Sequence, residues 1–513
     1  MKALSGMQLW IGFGLLALLG VVVYDLTQRR HAILRNFPIV GHLRYLLEAF
    51  GPELRQYIVT NNDEERPFSR DQRSWIYTSA KRLNNYFGFG TDNDLEASPN
   101  YLIIKHATLP LPAPKAFEGP DHGYPIPVAK VIGAHRGRRL AFRPTSVINI
   151  SAMSYGALSG PAVQAINRGV QLAGCMQNTG EGGISDHHKL GGDLVYNFGT
   201  GYFGCRDTRG RFDLERFKDT VAGAPVRMIE VKLSQGAKPG VGGVLPAPKV
   251  TAEIARIRGI PVGQDCISTS YHTAFSDPDT LLDFVELLAT ETGLPVGIKS
   301  AVGELDFWEE LARLMRDTGR GVDFISLDGG EGGTGAAPLV FSDHVSLPFK
   351  IGFTRVYSVM ARAGLQHDVV FIGSAKLGFP AAAFCAFALG ADMIGVAREA
   401  MLAIGCIQAQ KCHTGHCPTG VATQNRWLMR GLDPTDKAAR LANYIITLRQ
   451  EVLKLCHACG VPHPALLTSD HMEILDDRFG STSLREHFGY QPGWGVPAEA
   501  DRNAIWGLMG AER

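Results

Sequence analysis

Between residues 146 and 399 this 513-residue chain repeats one pattern, a short apolar, often β-branched run that ends in small or polar residues. The runs are SVINISAMS (146–154), CMQNTGEGG (175–183), MIEVKLSQG (228–236), PVGQDCIS (261–268), PVGIKSAVG (295–303), DFISLDGG (323–330), DVVFIGSAK (368–376) and DMIGVARE (392–399). Amphipathic stretches lie between them, among them PAVQAINRGVQLAG, DTLLDFVELLAT, DFWEELARLMRDTG and PAAAFCAFALG. Strand-like runs alternating with helix-period stretches predict strand–helix units. Eight such units over about 250 residues suit an α/β fold of the (β/α)8 TIM-barrel type, which carries its active-site groups on the C-terminal ends of the strands. A doubly wound open sheet is the rival arrangement. The 59 glycines weigh toward the barrel, because they gather at strand ends, where backbone must approach a ligand closely.

The N-terminus is of another kind. LWIGFGLLALLGVVVY (9–24) carries no charge, and the apolar stretch reaches back to Ala3 with Ser5 and Gln8 as its polar interruptions. At 1.5 Å per residue, Ala3 to Tyr24 extends roughly 33 Å, enough to cross the hydrocarbon core of a bilayer. One transmembrane helix is the leading expectation. A buried core helix is one rival; a cleaved signal peptide is the other, disfavoured because Asp25, Gln28, Arg29 and Arg30 follow instead of a small-residue cleavage site. Arg29, Arg30, His31 and Arg35 outweigh Lys2, which predicts a single-pass membrane protein with its catalytic domain facing the cytoplasm. Nine unevenly spaced cysteines agree with a reduced compartment. With 51 basic against 50 acidic side chains, the chain lacks the basic footprint of a nucleic-acid binder.

The expected organisation is a membrane anchor (1–30), an N-terminal extension (31–140), the barrel with its cysteine-bearing loop (141–430) and a helical C-terminal extension (431–513). The first extension joins DEERPFSRDQRSWIYTSAKR (63–82) to the Pro-rich LPLPAPKAFEGP (109–120) and reads as irregular or partly helical. AARLANYIITLRQEVLKLCHACG, after residue 430, reads as a packing helix. The gap 184–227, with DHHKLGGDLVYNFGTGYFGCRD, reads as an insertion over the barrel mouth, and its His187 and His188 as solvated loop side chains rather than metal ligands.

Three patterns carry chemistry. Cys406, Cys412 and Cys417 fall within twelve residues in GCIQAQKCHTGHCPTGVATQ, the last followed by Pro418. Such a set suits an iron–sulfur cluster, and three ligands favour a cluster lacking one iron. Zinc held with help from His413, His416 or the Cys456–Cys459 pair is an alternative, structural thiols another; Cys456 and Cys459 themselves read as helix-packed free thiols. Next, Gly373 and Ser374 end the seventh run and Gly395 the eighth, where barrels build phosphate sites from backbone N–H groups. With Gly332, Gly333 and Gly335 of DGGEGGTG (328–335), they point to a phosphorylated cofactor such as FMN, against the plainer reading that barrel turns need glycine sterically. Last, Lys232 and Lys238 in EVKLSQGAKPG and Lys299 in GIKS stand at strand ends. A buried ammonium is costly unless it faces an anion, so these cations predict a site for a carboxylate, a phosphate or reduced flavin; a single one of them would read as a snorkelling core lysine.

At these residues the chain resembles the FMN-binding synthase domain of glutamate synthase, over roughly residues 145–425. SAMSYGALSG, NTGEGG, KLSQGAKPGVGG, DGGEGGTGAAP and GCIQAQKCHTGHCPTGVATQ occur in that order, and the Cys-x5-Cys-x4-Cys spacing equals the family's 3Fe-4S pattern. The resemblance implies that Cys406, Cys412 and Cys417 ligate the cluster. It implies that Ala152, Met153, Ser154, Asn178 and Lys299 contact the flavin ring or ribityl chain, with Gly373 and Gly395 near its phosphate. It sets Lys232, Gln235 and Lys238 on the oxo-acid and Glu181 near the imine-forming centre. The implied reaction is hydride transfer from reduced FMN to 2-iminoglutarate, made from 2-oxoglutarate and ammonia, with electrons arriving through the cluster from ferredoxin or another donor protein.

Two departures qualify this expectation. The first 140 residues hold no Cys, so no glutaminase nucleophile is available there, and the chain resembles the shorter stand-alone glutamate-synthase-like proteins. ISTSYHTAF (267–275) stands where the family has a Pro- and His-rich stretch. A membrane-tethered flavin-dependent dehydrogenase of another amino or hydroxy acid is therefore the alternative enzyme, and a silent scaffold subunit the non-enzymatic one.

Overall fold

The computed structural model describes residues 6–28, 30–96, 98–114 and 123–510. Lys2, Arg29 and the second half of the Pro-rich stretch, on which some of the expectations above rest, lie outside the described residues. The chain forms two compact units, residues 1–73 and 74–513.

The first unit opens with helix α1 (Gly6–Thr27), long and apolar enough by length and composition to cross a membrane. A short helix α2 (Ala32–Asn36) and the longer α3 (Val40–Leu54) follow.

The second unit is built on a closed eight-stranded parallel barrel whose strands neighbour one another in chain order. They are β1 (Ile148–Ile150), β2 (Met176–Asn178), β3 (Asp193–Phe198), β4 (Val226–Lys232), β5 (Val296–Ala301), β6 (Phe324–Asp328), β7 (Val370–Ser374) and β8 (Met393–Val396). Burial on both faces explains their near-continuous apolar character. Helix α4 (Gly160–Ala173) shows how local sequence sets an element: Ser159 Oγ accepts from Ala162 N, Pro161 stands in its first turn, and Gly174 ends it in the left-handed region at φ +61°. The other amphipathic stretches named above fold as α5 (Pro278–Thr292), α6 (Asp306–Thr318) and α7 (Pro380–Ala388). The C-terminal stretch is the long helix α8 (Pro434–Ala458), which packs along α4, with a Cβ on Gly169 coming 2.8 Å from Leu441 Cδ2.

Seven of the eight expected runs supply barrel strands, and one does not. PVGQDCIS contributes only Cys266–Ile267, paired antiparallel with Val244–Leu245 in a small sheet outside the barrel. Pro261 to Asp265 are exposed, so this run has no continuous apolar face to close a barrel. The missing strand is β3, inside the stretch read as a mouth insertion; Leu194, Val195, Tyr196, Asn197 and Phe198 are all buried. His188 is likewise buried rather than solvated, and burial pulls its pKa down to about 3. The insertion instead lies between β4 and α5, residues 233–277.

The N-terminal end of the barrel is covered by residues 123–146. Lys130 Nζ reaches the Asp392 carboxylate at 2.9 Å and the carbonyls of Gln366 and Val369. Arg138 clamps Glu286 at 2.5 Å and Asp323 at 3.0 Å. Leu102–Ile104 pairs antiparallel with Met472–Leu475, so the segment before the barrel and the segment after it share a sheet.

Candidate active site

Side chains two apart on a strand share a face, and this rule builds the site from β4 upward. Glu230 points into the barrel and is buried; its Oε2 accepts from Asn178 Nδ2 (2.7 Å) and Asn197 Nδ2 (2.5 Å), and its Oε1 accepts from Ser326 Oγ (2.6 Å). One layer nearer the C-terminal mouth come Lys232 and its register partner on β5, Lys299. Lys299 Nζ lies 3.2 Å from Asp328 at the end of β6. Burial opposes its charge, but Asp328 and then Glu230 hold the ammonium above the ordinary lysine range.

Lys232 Nζ lies 3.0 Å from Glu181 Oε2 and donates to Gln235 Oε1 at 2.5 Å. Burial pushes the Glu181 carboxyl up, yet Lys232, followed by Lys238 and Arg258, holds it below the ordinary glutamate range. Lys238 is buried in the loop after β4, with its ammonium 3.4 Å from Gly242 O; burial lowers its pKa against the pull of Glu181. These four side chains line an open pocket with Ser268 and Thr200. Gly242 and Gly243 form one wall because nothing larger fits, a Cβ on Gly242 falling 1.8 Å from Ser268 O. The three lysines are therefore not equivalent: Lys232 and Lys299 carry counter-ions, and Lys238 faces a carbonyl.

Behind Lys232 stands a pair absent from the sequence reading. The backbone N–H groups of Thr273 and Ala274 donate to Tyr202 Oη, both at 3.1 Å, which leaves the phenol proton for His272 Nδ1 at 3.0 Å. His272 Nε2 then carries the ring proton and donates to Lys232 O at 2.9 Å, an assignment made from the network. Burial holds His272 neutral, with its pKa pulled down to about 4.

On the other side of the mouth, Ala152, Met153 and Ser154 are half-buried in the loop after β1. Gly180, at φ +65°, lets the loop after β2 touch them, since a Cβ there would fall 2.4 Å from Ser154 N. Asn178 spends its amide on Glu230 and Gly180. The glycines of the late strand ends stand close to protein neighbours, a Cβ falling 2.7 Å from Phe349 Cζ at Gly373, 3.1 Å from Ser151 Cβ at Gly395 and 2.7 Å from Arg398 Cδ at Gly333. Gly332 lies against Gly329 O, and Gly335 against Cys412 Cβ, which brings the loop after β6 to the cysteine loop. A flavin nucleotide fits this wall. Lys299 is a buried cation, and Asp328 Oδ1 is a buried acceptor with no partner among the described residues. The Ser151 and Ser374 hydroxyls, 3.1 Å apart at the ends of β1 and β7, offer donors suited to a phosphate, while the Arg398 guanidinium donates to Glu331 O.

Cys406, Cys412 and Cys417 lie in one irregular segment between the short helices Arg398–Ala403 and Arg426–Met429. Gln408 N donates to Cys406 Sγ at 3.4 Å. Burial would raise the Cys417 thiol, but the Thr419 hydroxyl and the backbone N–H groups of Ala422, Thr419 and Val421 lower it. Lys249, buried beneath, donates to Cys412 O at 2.7 Å and Ala422 O at 3.5 Å, and its charge acts on both Cys412 and Cys417. Burial raises the Cys412 thiol, with Lys249 acting against it; one sulfur ringed by N–H donors and a buried cation beside the pair suit an iron–sulfur cluster. Cys456 and Cys459 are buried free thiols at the end of α8.

Glu230 stands two residues before Lys232, and Asp328 is the sixth residue of DFISLDGG and the last of β6, so both lie within the runs quoted above. Tyr202, His272 and Arg398 lie within DHHKLGGDLVYNFGTGYFGCRD, ISTSYHTAF and DMIGVARE, where nothing local names their partners, and Lys249 had no local signal at all.

Comparison with known proteins agrees with this architecture. The conserved region in glutamate synthase matches residues 133–462. The glutamate synthase large subunit-like protein YerD of Bacillus subtilis is 36% identical over 483 residues, covering 88% of this chain and 91% of the relative. An archaeal glutamate synthase (NADPH) of Methanocaldococcus jannaschii is 36% identical over 317 residues, covering 61% of this chain and 59% of that protein. A glutamate synthase large subunit-like protein of Rhizobium meliloti is 32% identical over 349 residues, 64% of this chain and 75% of the relative. With its barrel, its acid–lysine mouth and nearly two-thirds of its length inside the conserved region, the chain belongs to the glutamate synthase family of oxidoreductases.

Proposed function

We propose that this protein makes glutamate by reducing 2-iminoglutarate, the condensation product of 2-oxoglutarate and ammonia, with FMN and a 3Fe-4S cluster as its cofactors. The observation that carries this reading is the pocket where Lys232, Lys238 and Gln235 surround Glu181 at the C-terminal mouth. Two ammonium groups in one pocket suit a dicarboxylate, and Gln235 can turn its amide to a carboxylate or carbonyl oxygen. A substrate carboxylate arriving at Lys232 competes with Glu181 for the ammonium. Glu181 then loses its cation, its pKa rises, and it becomes a base able to take a proton from the attacking nitrogen and return it to the departing hydroxyl. His272, through the Lys232 carbonyl, holds the end of β4 in register for this exchange.

Ala152, Met153, Ser154, Asn178 and Lys299 would hold the flavin, Gly332, Gly333, Gly335, Gly373 and Gly395 would border it and its phosphate, and Cys406, Cys412 and Cys417 would hold the cluster. Bound there, the flavin supplies hydride to the imine carbon and the cluster supplies electrons to the flavin. The protein's share is position and charge. Helix α1, by this reading, anchors the enzyme in a membrane with Arg30 and Arg35 on the cytoplasmic side.

The test is glutamate formation by purified protein under anaerobic conditions, with 2-oxoglutarate, ammonia and either reduced ferredoxin or NADPH, the latter because the archaeal relatives' names carry it. Iron, sulfide and flavin are quantified on the same sample. Flavin reduction by a different amino or hydroxy acid, with no glutamate made from either donor, would overturn the proposal in favour of a dehydrogenase.

A further inference from the structure

Helix α3 bears an apolar stripe on its exposed side. Val40, Leu43, Leu47, Phe50 and Leu54 recur at steps of three and four, and at 3.6 residues per turn they fall with Leu46 into one arc of about 120°. All six are between 45% and 71% exposed, which water disfavours. The helix is tied to its own unit by other faces. A Cβ on Gly41 would lie 3.0 Å from Leu34 Cδ2, and Tyr45 packs edge-on against His31 at 5.0 Å.

We propose that α3 lies flat in the interface of the bilayer, with this stripe at the boundary between headgroups and acyl chains. The inference rests on the reading of α1 as a membrane anchor. Three observations commit the stripe to lipid. The first is where α3 begins: Asp25, in the last turn of α1, accepts from Ile39 N at 2.9 Å and bonds His42 Nε2 at 2.9 Å and 3.0 Å. These bonds fix the start of α3 to the end of α1, the level at which a spanning helix leaves the hydrocarbon. The second is the backbone at Ile39, whose φ of +64° is disfavoured for a β-branched residue and turns the chain into α3 while its N–H is held by Asp25. The third is charge. Arg55 follows one edge of the apolar arc and is exposed, so its long cationic side chain reaches anionic headgroups while its stem stays in the apolar layer; Arg44 on the same edge is paired with Glu48 Oε1 at 2.6 Å.

The experiment uses the full chain in nanodiscs of phosphatidylcholine and anionic phosphatidylglycerol. A genetically encoded fluorescent amino acid replaces Leu16, Leu47, Glu48 or Phe50, one position per protein. Bromines are carried either near the ester groups or near the ends of the acyl chains. Reporters at 47 and 50 are expected to lose most of their emission to the shallow bromines and the reporter at 48 to keep it, while the reporter at 16 is quenched by the deep ones. Replacing Leu47→Gln and Phe50→Gln together should release a reporter at Leu43 from shallow quenching and leave position 16 unchanged. Quenching at 16 without quenching at 47 and 50 overturns the surface-helix proposal and leaves the anchor standing. No quenching at 16 overturns the anchor reading. Shielding at 47 and 50 that grows with protein concentration in lipid-free detergent, with no bromine effect in nanodiscs, would give the stripe to a second copy of the chain and also overturn the proposal.

Discussion

Lys232 and Lys299 are register partners on neighbouring barrel strands, and each ammonium closes on its own acid, Glu181 at 3.0 Å and Asp328 at 3.2 Å. Two adjacent cations in a barrel interior are sustained because each has a counter-ion within hydrogen-bond reach. The pairs differ in position. Lys232 and Glu181 line the pocket, so a substrate carboxylate can enter their exchange, whereas Lys299 is outside its lining, held by Asp328 and the charge of Glu230.

Lys232→Met should therefore weaken turnover of the oxo-acid more than it weakens the fold. Removing one partner of a buried, hydrogen-bonded charge pair costs about 2–5 kcal/mol, which at about 1.4 kcal/mol per decade is at least roughly thirtyfold in kcat/KM. Steady-state glutamate formation at varied 2-oxoglutarate measures it. An unchanged kcat/KM would remove Lys232 from the substrate site.

His272 gives a pH signature. Its folded pKa of about 4 lies below the ordinary 6.5, so between these values the unfolded chain takes up a proton that the folded one refuses. Its stabilising contribution is complete above pH 6.5 and is lost as pH falls toward 4. Urea unfolding of His272→Gln should show a smaller loss of stability across that window than the unsubstituted protein. Parallel curves for the two proteins would contradict the buried neutral imidazole.

Cys417→Ala should purify with its flavin and without its iron. Thr419, Val421 and Ala422 direct their donors at this sulfur. Iron and sulfide analysis beside flavin absorbance reads the result. Full iron occupancy in the variant would rule Cys417 out as a ligand.

Gly169→Val tests the seam between α4 and α8. A Cβ at this position would already stand 2.8 Å from Leu441 Cδ2 and 3.0 Å from Ala438 O. Overpacking of this kind costs about 1–3 kcal/mol, so Tm should fall while activity at low temperature is retained. Thermal unfolding followed by circular dichroism gives the shift.

The barrel was legible because its evidence is local. Strand runs such as DVVFIGSAK and helices such as DFWEELARLMRDTG carry their period in consecutive residues, and caps such as Ser159 and Gly174 act within one turn. The misplaced strand shows the limit of that evidence. PVGQDCIS and DLVYNF are both short, and only burial of Leu194 to Phe198 against neighbouring strands made the second one β3.

The amino-acid order by itself determined the repeat of strand and helix, the three closely spaced cysteines, the lysines at strand ends and the apolar N-terminal helix, since each depends on residues near one another in the chain. Closure of the barrel decided the rest: which acid answers which lysine, that His272 reaches the carbonyl of Lys232 forty residues away, and that Lys249 stands beneath Cys412. Those pairings follow from strand register and loop packing over long chain separations, and no local preference of a residue encodes its partner at that range.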